Sequence, residues 1–234
     1  GKQYYQRLVR KTLPGGGPLP GGPITFVLIP RSKQDDPEPF YMMDEKVSVG
    51  LFTAFAAQPD ARVKAGWNPD GYGADYPALG MKVDEAYRCA RWLGANLPTR
   101  EQWDRAAGVS DRGDREGPYQ GKWDEMHPLK IAVNLPKAQP VTDADGHKDD
   151  VSVFGCRDMS GNGLEWTRSI RNDGTIPASA EEPVPPKAFV WMRGMGFEAP
   201  APLQYAAWDN NKLPSAPSNL TTPDVGFRLV LEPQ

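Results

Sequence analysis

The residues best suited to chemistry lie in the stretch GCRDMSGNGLEWTRS, which covers residues 155–169. Two carboxylates, Asp158 and Glu165, flank a Gly-Asn-Gly turn, and hard divalent cations prefer oxygen ligands of this kind. The spacing therefore favours an oxygen-ligand site for a hard cation. The alternative is a turn leading into a buried Trp166, with both carboxylates accepting hydrogen bonds from backbone N–H groups or from an arginine. The stretch alone leaves both interpretations open.

The overall charge excludes several classes of partner. The 234 residues carry a net charge of −3, with positive and negative side chains mixed along the chain. Nucleic-acid-binding domains concentrate Lys and Arg on one face, and the sequence shows no such stripe. No apolar run is long enough to span a bilayer, and the opening GKQYYQRLVRK lacks the apolar core of a signal peptide. We expect neither a nucleic-acid partner nor membrane insertion, and the compartment stays open.

Cysteine and histidine are scarce, which limits metal and redox chemistry. The chain has two of each, namely Cys89, Cys156, His127 and His147. A Cys/His zinc site needs about four such ligands at short spacing, and these four are far apart in the sequence. Two buried free thiols and a single disulfide both fit the sequence. The apolar surroundings of the two cysteines favour free thiols.

Glycine and proline mark the organisation of the chain. They supply 24 and 25 residues, an excess that indicates many turns and much ordered irregular structure. The run PGGGPLPGGP ends an N-terminal extension and linker over residues 1–23, and residues 1–11 are expected to form a short helix outside the core. Residues 24–234 are expected to form one domain. Other domains of a longer parent chain are the expected neighbours.

Local signals place helices in the first half of the domain. Ser48 is the expected N-cap of the first helix and Asp84 that of the second. Thr99 is the expected N-cap of a third helix, in which Gln102 completes a capping box and Gly108 ends the helix.

Strands are expected at both ends of the domain. Residues 24–30 and 224–232 are apolar, β-branched runs that predict a first and a closing strand, adjacent in one sheet, and a further strand is expected over residues 188–197. The pattern predicts an α+β fold with two main helices, small twisted antiparallel sheets and much irregular structure.

Several segments, in this order, resemble one family. They are FVLIP, PFYMMDEKVSVGLFTAF, AYRCARWLGANLPTREQWDRAA, GCRDMSGNGLEWT, FVWMRGMGF and VGFRLV. LPTREQW is similar to that family's L-P-T-E-A-E-W, and DMSGNGLEW to its D-M-S-G-N-V-W-E-W. The family is that of the formylglycine-generating enzyme, or sulfatase-modifying factor, and the match runs from about residue 24 to 232. The resemblance implies a compact variant of the C-type lectin-like fold.

In this family the segment similar to DMSGNGLEW wraps a calcium ion, and the resemblance implies the same here. Carried over position by position, the ligands are Asp158, Gly161, Asn162, Gly163 and Glu165. The glycines would offer carbonyl oxygens, so the departure at Gly163-Leu164, where the family has Val-Trp, costs an aromatic ring and no ligand. The acidic residues within 134–150 are expected to form a solvated turn instead of a second calcium site.

The family's oxidases carry a cysteine pair before the closing G-F-R, and that pair binds copper. The corresponding interval, residues 197–225, contains no cysteine, and neither Cys89 nor Cys156 matches the catalytic positions. Copper(I) needs soft thiolate or thioether ligands, so no copper is expected. The related iron-dependent sulfoxide synthases take their iron ligands from a histidine-rich helical domain. Two histidines do not supply such a set.

The loop before the closing strand is the expected ligand surface, because loops held by a rigid scaffold commonly carry function. It combines an aromatic ring with polar donors and acceptors, as protein and glycan recognition requires. The candidate ligand-binding residues are Trp208, Asp209, Asn210, Asn211 and Lys212. An inert surface loop would have the same composition.

These observations favour a non-catalytic recognition module of a larger bacterial protein. A kinase-linked receptor or the variable protein of a diversity-generating retroelement would contain such a module. The alternative is an enzyme, either a formylglycine-type oxidase acting on a protein cysteine or a divergent activity in the same cleft. A domain that only spaces its neighbours is the third interpretation. The sequence leaves the ligand, the parent protein and the oligomeric state open.

Overall fold

In the described part of the chain, two small sheets and four short α-helices form the fold, with long irregular connections between them. The computed structural model describes residues 6–64, 67, 71–141, 147–171, 174–175, 185 and 187–233. The strands are β1 (Arg7–Arg10), β2 (Ile24–Ile29), β3 (Phe40–Met43), β4 (Gly163–Ile170), β5 (Gly174–Thr175), β6 (Phe189–Met195), β7 (Ser215–Pro217), β8 (Val225–Gly226) and β9 (Val230–Leu231). The helices are α1 (Val49–Ala56), α2 (Val83–Trp92), α3 (Arg100–Ala107) and α4 (Ala206–Asp209). The predicted α+β class is confirmed.

The first sheet has the antiparallel order β1-β2-β3-β9. The helix expected over residues 1–11 is wrong for its described part, because Arg7–Arg10 pair with β2 and place Leu8 against the core. The sheet thus extends past the domain boundary predicted at residue 24. The first and closing strands are not neighbours as expected, since β3 lies between β2 and β9.

The second sheet holds the stretch that the sequence singled out. Its order is β5-β4-β6-β7, and β8 pairs in parallel with β4. The strand predicted over residues 188–197 is confirmed as β6. In the register of β4 and β6, Glu165 lies opposite Arg193. Strands β4 and β6 are both largely buried, and together they form the centre of the sheet.

The helix caps follow the sequence signals at two of three places. The Ser48 side chain accepts from the N–H of Leu51, and Thr99 and Gln102 form the predicted capping box, with Gly108 in the left-handed region at φ 83°. Helix α2 starts before the predicted cap, Asp84. Its N-cap is Lys82, whose N–H donates to Glu85 Oε2 over 2.8 Å, and Asp84 lies in the first turn.

The closing segment is two short strands, not the single strand predicted over residues 224–232. Strand β8 pairs with β4 in the second sheet, and β9 pairs with β3 in the first. The chain must leave one sheet and enter the other between them, which interrupts regular pairing at residues 227–229. The side chain of Arg228 points into the interior at this crossing and is fully buried.

The interior is divided into separate apolar clusters. Trp166 belongs to the largest, and Trp103 to a second cluster beneath α3. Cys89 lies in the first cluster and Cys156 in the second, both fully buried and free, which confirms the thiol prediction. Burial raises the pKa of both thiols, that of Cys156 to about 12.

Helix α2, with ten residues, is the longest helix in the described ranges. None of the helices in those ranges combines the length and the apolarity that a membrane span requires.

We expect Thr99→Ala to lower the free energy of unfolding by about 1 kcal/mol, because the N–H of Gln102 loses its cap. Thermal denaturation should show a melting temperature lower by roughly 2–4 °C. Thr53→Ala, at an exposed interior position of α1, is the matched control and should not destabilise the protein. Equal effects of the two substitutions would contradict the role of the cap.

Candidate functional site

Glu165 is the centre of the site. It lies near the start of β4, is fully buried, and both of its carboxylate oxygens have partners. Lys46 Nζ lies 2.6 Å from Oε1, and Arg228 donates from Nε to Oε2 and from Nη2 to Oε1, each over 2.7 Å. Trp103 Nε1 donates to Oε2 over 2.9 Å. One carboxylate therefore holds two cations and one indole.

The partners of Glu165 come from three parts of the fold. Lys46 follows β3 of the first sheet, Trp103 belongs to α3, and Arg228 lies between β8 and β9. Arg228 donates further to the backbone carbonyls of Met43, Asp44 and Arg157. The buried charges thus join both sheets and one helix at a single point.

The electrostatics identify Glu165 as an anchor and not as a proton donor or acceptor. Burial alone would raise its pKa, but Arg228 and Lys46 outweigh burial and lower the pKa of Glu165 to about 2. Burial lowers the pKa of Lys46. For Arg228, burial acts in the same direction, but the Glu165 carboxylate overcomes it and raises the pKa. General acid–base catalysis needs a pKa near the working pH, which Glu165 does not have.

Asp158 forms a second buried contact, with His147. The backbone of Asp158 is left-handed, with φ 56°, and its Oδ2 accepts from Asn162 Nδ2 over 3.0 Å. Its Oδ1 forms a close ion pair with His147 Nδ1, although the two atoms are not aligned as a hydrogen bond. His147 Nε2 lies 2.9 Å from the carbonyl oxygen of Pro140. Because a carbonyl only accepts, Nε2 carries a proton, and the carboxylate favours a second proton on Nδ1.

The pKa of His147 follows from this geometry. Burial disfavours the imidazolium, but the Asp158 carboxylate and the Pro140 carbonyl outweigh burial and raise the pKa to about 8. His147 is therefore charged at neutral pH inside the protein. It joins the Asp158 turn to the segment that precedes it.

The Gly-Asn-Gly turn is held by close backbone contacts. Asn162, at φ 58°, exchanges two hydrogen bonds with the backbone of Gln139, accepting over 2.8 Å and donating over 3.0 Å. A Cβ on Gly161 would lie 1.9 Å from the carbonyl oxygen of Ile131. Gly163 has φ 106°, which L side chains rarely adopt. The glycines are thus required by packing and by backbone conformation.

The predicted calcium ligands do not fit an oxygen cage. Asp158 and Asn162 direct their side-chain oxygens at protein donors, and two cationic side chains occupy both oxygens of Glu165. Among the described residues, no group of three or more His, Cys, Asp or Glu side chains could hold a metal ion. Calcium binding stays a prediction, and no function is derived from it.

Sequence reasoning did not assign to this site five side chains that surround Glu165 and Asp158, namely Lys46, Trp103, His147, Asp150 and Arg228. Asp150 is fully buried, and both of its oxygens accept from the N–H of Ser160 over 3.0 and 2.9 Å. Burial and the neighbouring Asp158 raise the pKa of Asp150 to about 7. Asp150 therefore does not belong to a solvated turn as expected. The acidic neighbours Asp143 and Asp145 lie outside the described residues.

The predicted ligand loop is a short helix and turn on the surface. Trp208 is only partly exposed, with its ring stacked on Trp103 at a centroid distance of 6.4 Å. Asp209 pairs with Arg112 over 3.0 Å, and both side chains are exposed. The remaining exposed members are Asn210, Asn211 and Lys212. The structure thus places Trp208 at the edge of the second apolar cluster and the next four residues in solvent.

We expect Glu165→Gln to lower the free energy of unfolding by about 3–5 kcal/mol, because Arg228 and Lys46 would remain buried without their counter-charge. Urea denaturation measures the change. Glu38→Gln is the matched control, since Glu38 pairs with Arg31 at the surface, and it should have little effect. A variant at residue 165 that is as stable as the wild type would show that the cluster contributes no stability.

The raised pKa of His147 predicts a loss of stability at alkaline pH. Because the folded-state pKa of about 8 exceeds the ordinary 6.5, the stabilisation is complete below pH 6.5 and is lost as pH rises through 8. The loss should reach at most about 2 kcal/mol, from 1.36 kcal/mol per pKa unit. Urea denaturation from pH 6 to 9 should show the fall for the wild type and a flatter profile for His147→Gln.

His127→Gln is the control for the pH profile, since it removes an exposed imidazole and leaves the buried ion pair of His147 and Asp158 in place. The raised pKa of Asp150 acts in the same direction at lower pH, so the comparison rests on the difference between the two histidine variants. Identical profiles of those variants would contradict the buried ion pair.

Comparison with known proteins identifies relatives along almost the whole chain. The model of the sulfatase-modifying factor enzyme 1-like domain matches residues 10–233. A curated protein named hercynine oxygenase, from Mycolicibacterium thermoresistibile, is 30% identical over 114 residues, which cover 44% of this chain and 25% of that protein. The chain thus spans about a quarter of the length of the curated relative it matches.

Two solved structures share the fold at low sequence identity. Treponema denticola variable protein 1 has a TM-score of 0.61 at 12% identity, covering 98% of this chain and 100% of that one. PvdO from Pseudomonas aeruginosa has a TM-score of 0.58 at 18% identity, covering 96% and 90%. These likenesses confirm the expected C-type lectin-like variant of the fold. The chain belongs to the family of sulfatase-modifying factor enzyme 1-like domains.

Proposed function

We propose that the chain is a recognition module that binds a protein or glycan ligand through the surface turn Asp209–Lys212. The observation that carries the proposal is the contrast between this exposed turn and the paired charges in the interior of the molecule. At the centre of the fold, Lys46 and Arg228 are both bound to Glu165, whereas the four residues of the turn are exposed.

The frame of the turn supports a binding role. Tyr205 donates from its hydroxyl to the carbonyl oxygen of Ala107 over 2.8 Å, and Trp208 stacks on Trp103. The turn is therefore fixed to α3 at its base. A rigid base lowers the entropy lost when exposed side chains bind a ligand.

The cysteine chemistry of an oxidase lacks support in this chain. Cys89 and Cys156 are buried in different clusters, and burial raises the pKa of both thiols, so neither is a ready thiolate. The interval between Phe197 and Val225 contains no cysteine. These facts favour binding over thiol oxidation.

The likeness to Treponema denticola variable protein 1 is consistent with a recognition role, since its name describes a variable protein and this chain covers its whole length. At 12% identity the likeness is one of fold. A place within a larger bacterial protein, such as a kinase-linked receptor or a retroelement variable protein, belongs to the same proposal.

An oxidase-type activity is the second candidate, favoured by the 30% identity to a hercynine oxygenase. The matched part covers a quarter of that protein, so such an activity would draw on groups outside this match. Incubation of the protein with a cysteine-containing peptide under oxygen, followed by mass spectrometry, tests it. Conversion of the cysteine to an aldehyde would replace the recognition proposal.

The recognition proposal is tested by Asn210→Ala combined with Lys212→Ala. A glycan array and a phage-displayed library of random peptides supply binders, and calorimetry measures their dissociation constants. We expect the double variant to weaken binding at least tenfold, which corresponds to about 1.4 kcal/mol. Its melting temperature should stay that of the wild type, because both side chains are exposed.

Gln120→Ala combined with Lys122→Ala is the matched control, since it removes an exposed amide and an exposed ammonium elsewhere on the surface. It should leave binding unchanged. Equal binding by the wild type and both double variants, or no binder in either screen, would overturn the proposal.

A further inference from the structure

The outward face of β6 combines two aromatic side chains with an arginine. Alternate residues of a strand share a face, so Phe189, Trp191 and Arg193 lie on the side away from Val190 and Met192. Those two face the main apolar cluster. Phe189 is 47% exposed and Trp191 is partly exposed, whereas Arg193 is buried beneath α3. One end of this sheet face is thus covered by a helix, and the other end is open.

Three guanidinium groups surround the ring of Trp191. The Cζ atoms of Arg100, Arg171 and Arg193 each lie 5.7 Å from the ring centroid. At this distance a guanidinium is attracted to the indole face, and each such contact is worth about 0.5–1 kcal/mol at an exposed site. The three cations come from α3, from the end of β4 and from β6 itself. The fold therefore concentrates positive charge around one aromatic ring.

Carboxylates balance two of the three cations. Arg193 donates to both oxygens of Asp104, and Arg100 pairs with the adjacent Glu101. In the described part of the chain, Arg171 forms no ion pair. Its polar contact is with the hydroxyl of Ser215, at 3.5 Å, and its side chain is exposed. Among the described residues, this surface thus has three cations and two carboxylates, although the whole chain has a net charge of −3.

Apolar side chains lie beside the arginines that surround Trp191. Phe189 pairs in register with Pro217 of the edge strand β7, and Leu220, in the turn after β7, is 42% exposed. Exposed apolar side chains beside an unbalanced cation suit a ligand that has both carboxylates and apolar side chains. A peptide segment has both, whereas a simple anion would leave the apolar border without a partner.

We propose that this surface, formed by Phe189, Trp191, Arg100, Arg171 and Ser215, binds an acidic peptide segment of a partner protein. A carboxylate of the peptide accepts from Arg171, and an apolar side chain next to it packs on Trp191 and Phe189. Guanidinium groups suit this role because their planar donors bind carboxylates in pairs and stack on aromatic rings. The proposal goes beyond the ligand turn Asp209–Lys212, because it adds a second surface formed by other residues and names the chemistry of its partner.

A phage-displayed library of random twelve-residue peptides tests the proposal, with selection on the wild-type protein and on Arg171→Glu. We expect selected peptides to be rich in Asp and Glu, and binding of a selected peptide to weaken at least tenfold in Arg171→Glu. Binding should also weaken as salt increases, because the contact is between exposed charges. Lys122→Glu makes the same charge change at another exposed position and should bind as the wild type does.

The other outcomes separate this proposal from the recognition role. Peptides without acidic enrichment that lose affinity only in the Asn210→Ala/Lys212→Ala variant would overturn the acidic-peptide surface and leave the recognition role intact. Equal affinity of a selected peptide for the wild type and Arg171→Glu, or no selected peptide, would also overturn it. Sedimentation of the protein alone is the last arm. If the wild type forms dimers that Arg171→Glu dissociates, a second copy of this chain occupies the surface. That result would overturn the peptide proposal.

Discussion

The fold depends on a single buried carboxylate. Glu165 binds three side chains from different parts of the fold. They are Lys46, which follows β3, Trp103 of α3, and Arg228, which lies where the chain crosses between the sheets. Removing charges from water is costly, and only a close, fully hydrogen-bonded arrangement compensates that cost. Such an arrangement tolerates little displacement of its members. It therefore fixes the relative position of elements whose apolar contacts alone would allow several packings.

The same constraint explains which parts of the structure could be predicted from the sequence. The capping box of Thr99 and Gln102 involves residues three positions apart, so the pattern is visible in the sequence. The closing segment was harder, because its interruption at Arg228 results from partners far away along the chain. Likewise, an arginine was one of the expected partners of Glu165, and Arg228 is that partner, but the pairing with Lys46 could not be predicted, since Lys46 is 119 residues away. The backbone strain at Asp158 and Asn162 also depends on distant groups, His147 and Gln139.

Charged side chains are arranged differently in the interior and at the surface around Trp191. Inside, each guanidinium or ammonium has a carboxylate partner that fixes its position, as Arg228 has in Glu165. Among the described residues around Trp191, two carboxylates pair with Arg193 and Arg100, and the exposed Arg171 pairs with neither. A molecule with a rigid, charge-balanced interior and an unbalanced surface is suited to presenting side chains. The proposed recognition role and the proposed acidic-peptide surface are both consistent with this division.

The separation of the anchor residues along the chain has a consequence for synthesis on the ribosome. Glu165 can meet Lys46 as soon as β4 has emerged, but Arg228 is made 63 residues later. Until then Glu165 has Lys46 as a partner but lacks Arg228. The segment that crosses between the two sheets has not yet been made. Contacts of such long sequence separation form slowly and leave apolar strands exposed in the meantime. The growing polypeptide should therefore need protection by chaperones until the crossing segment has left the exit tunnel.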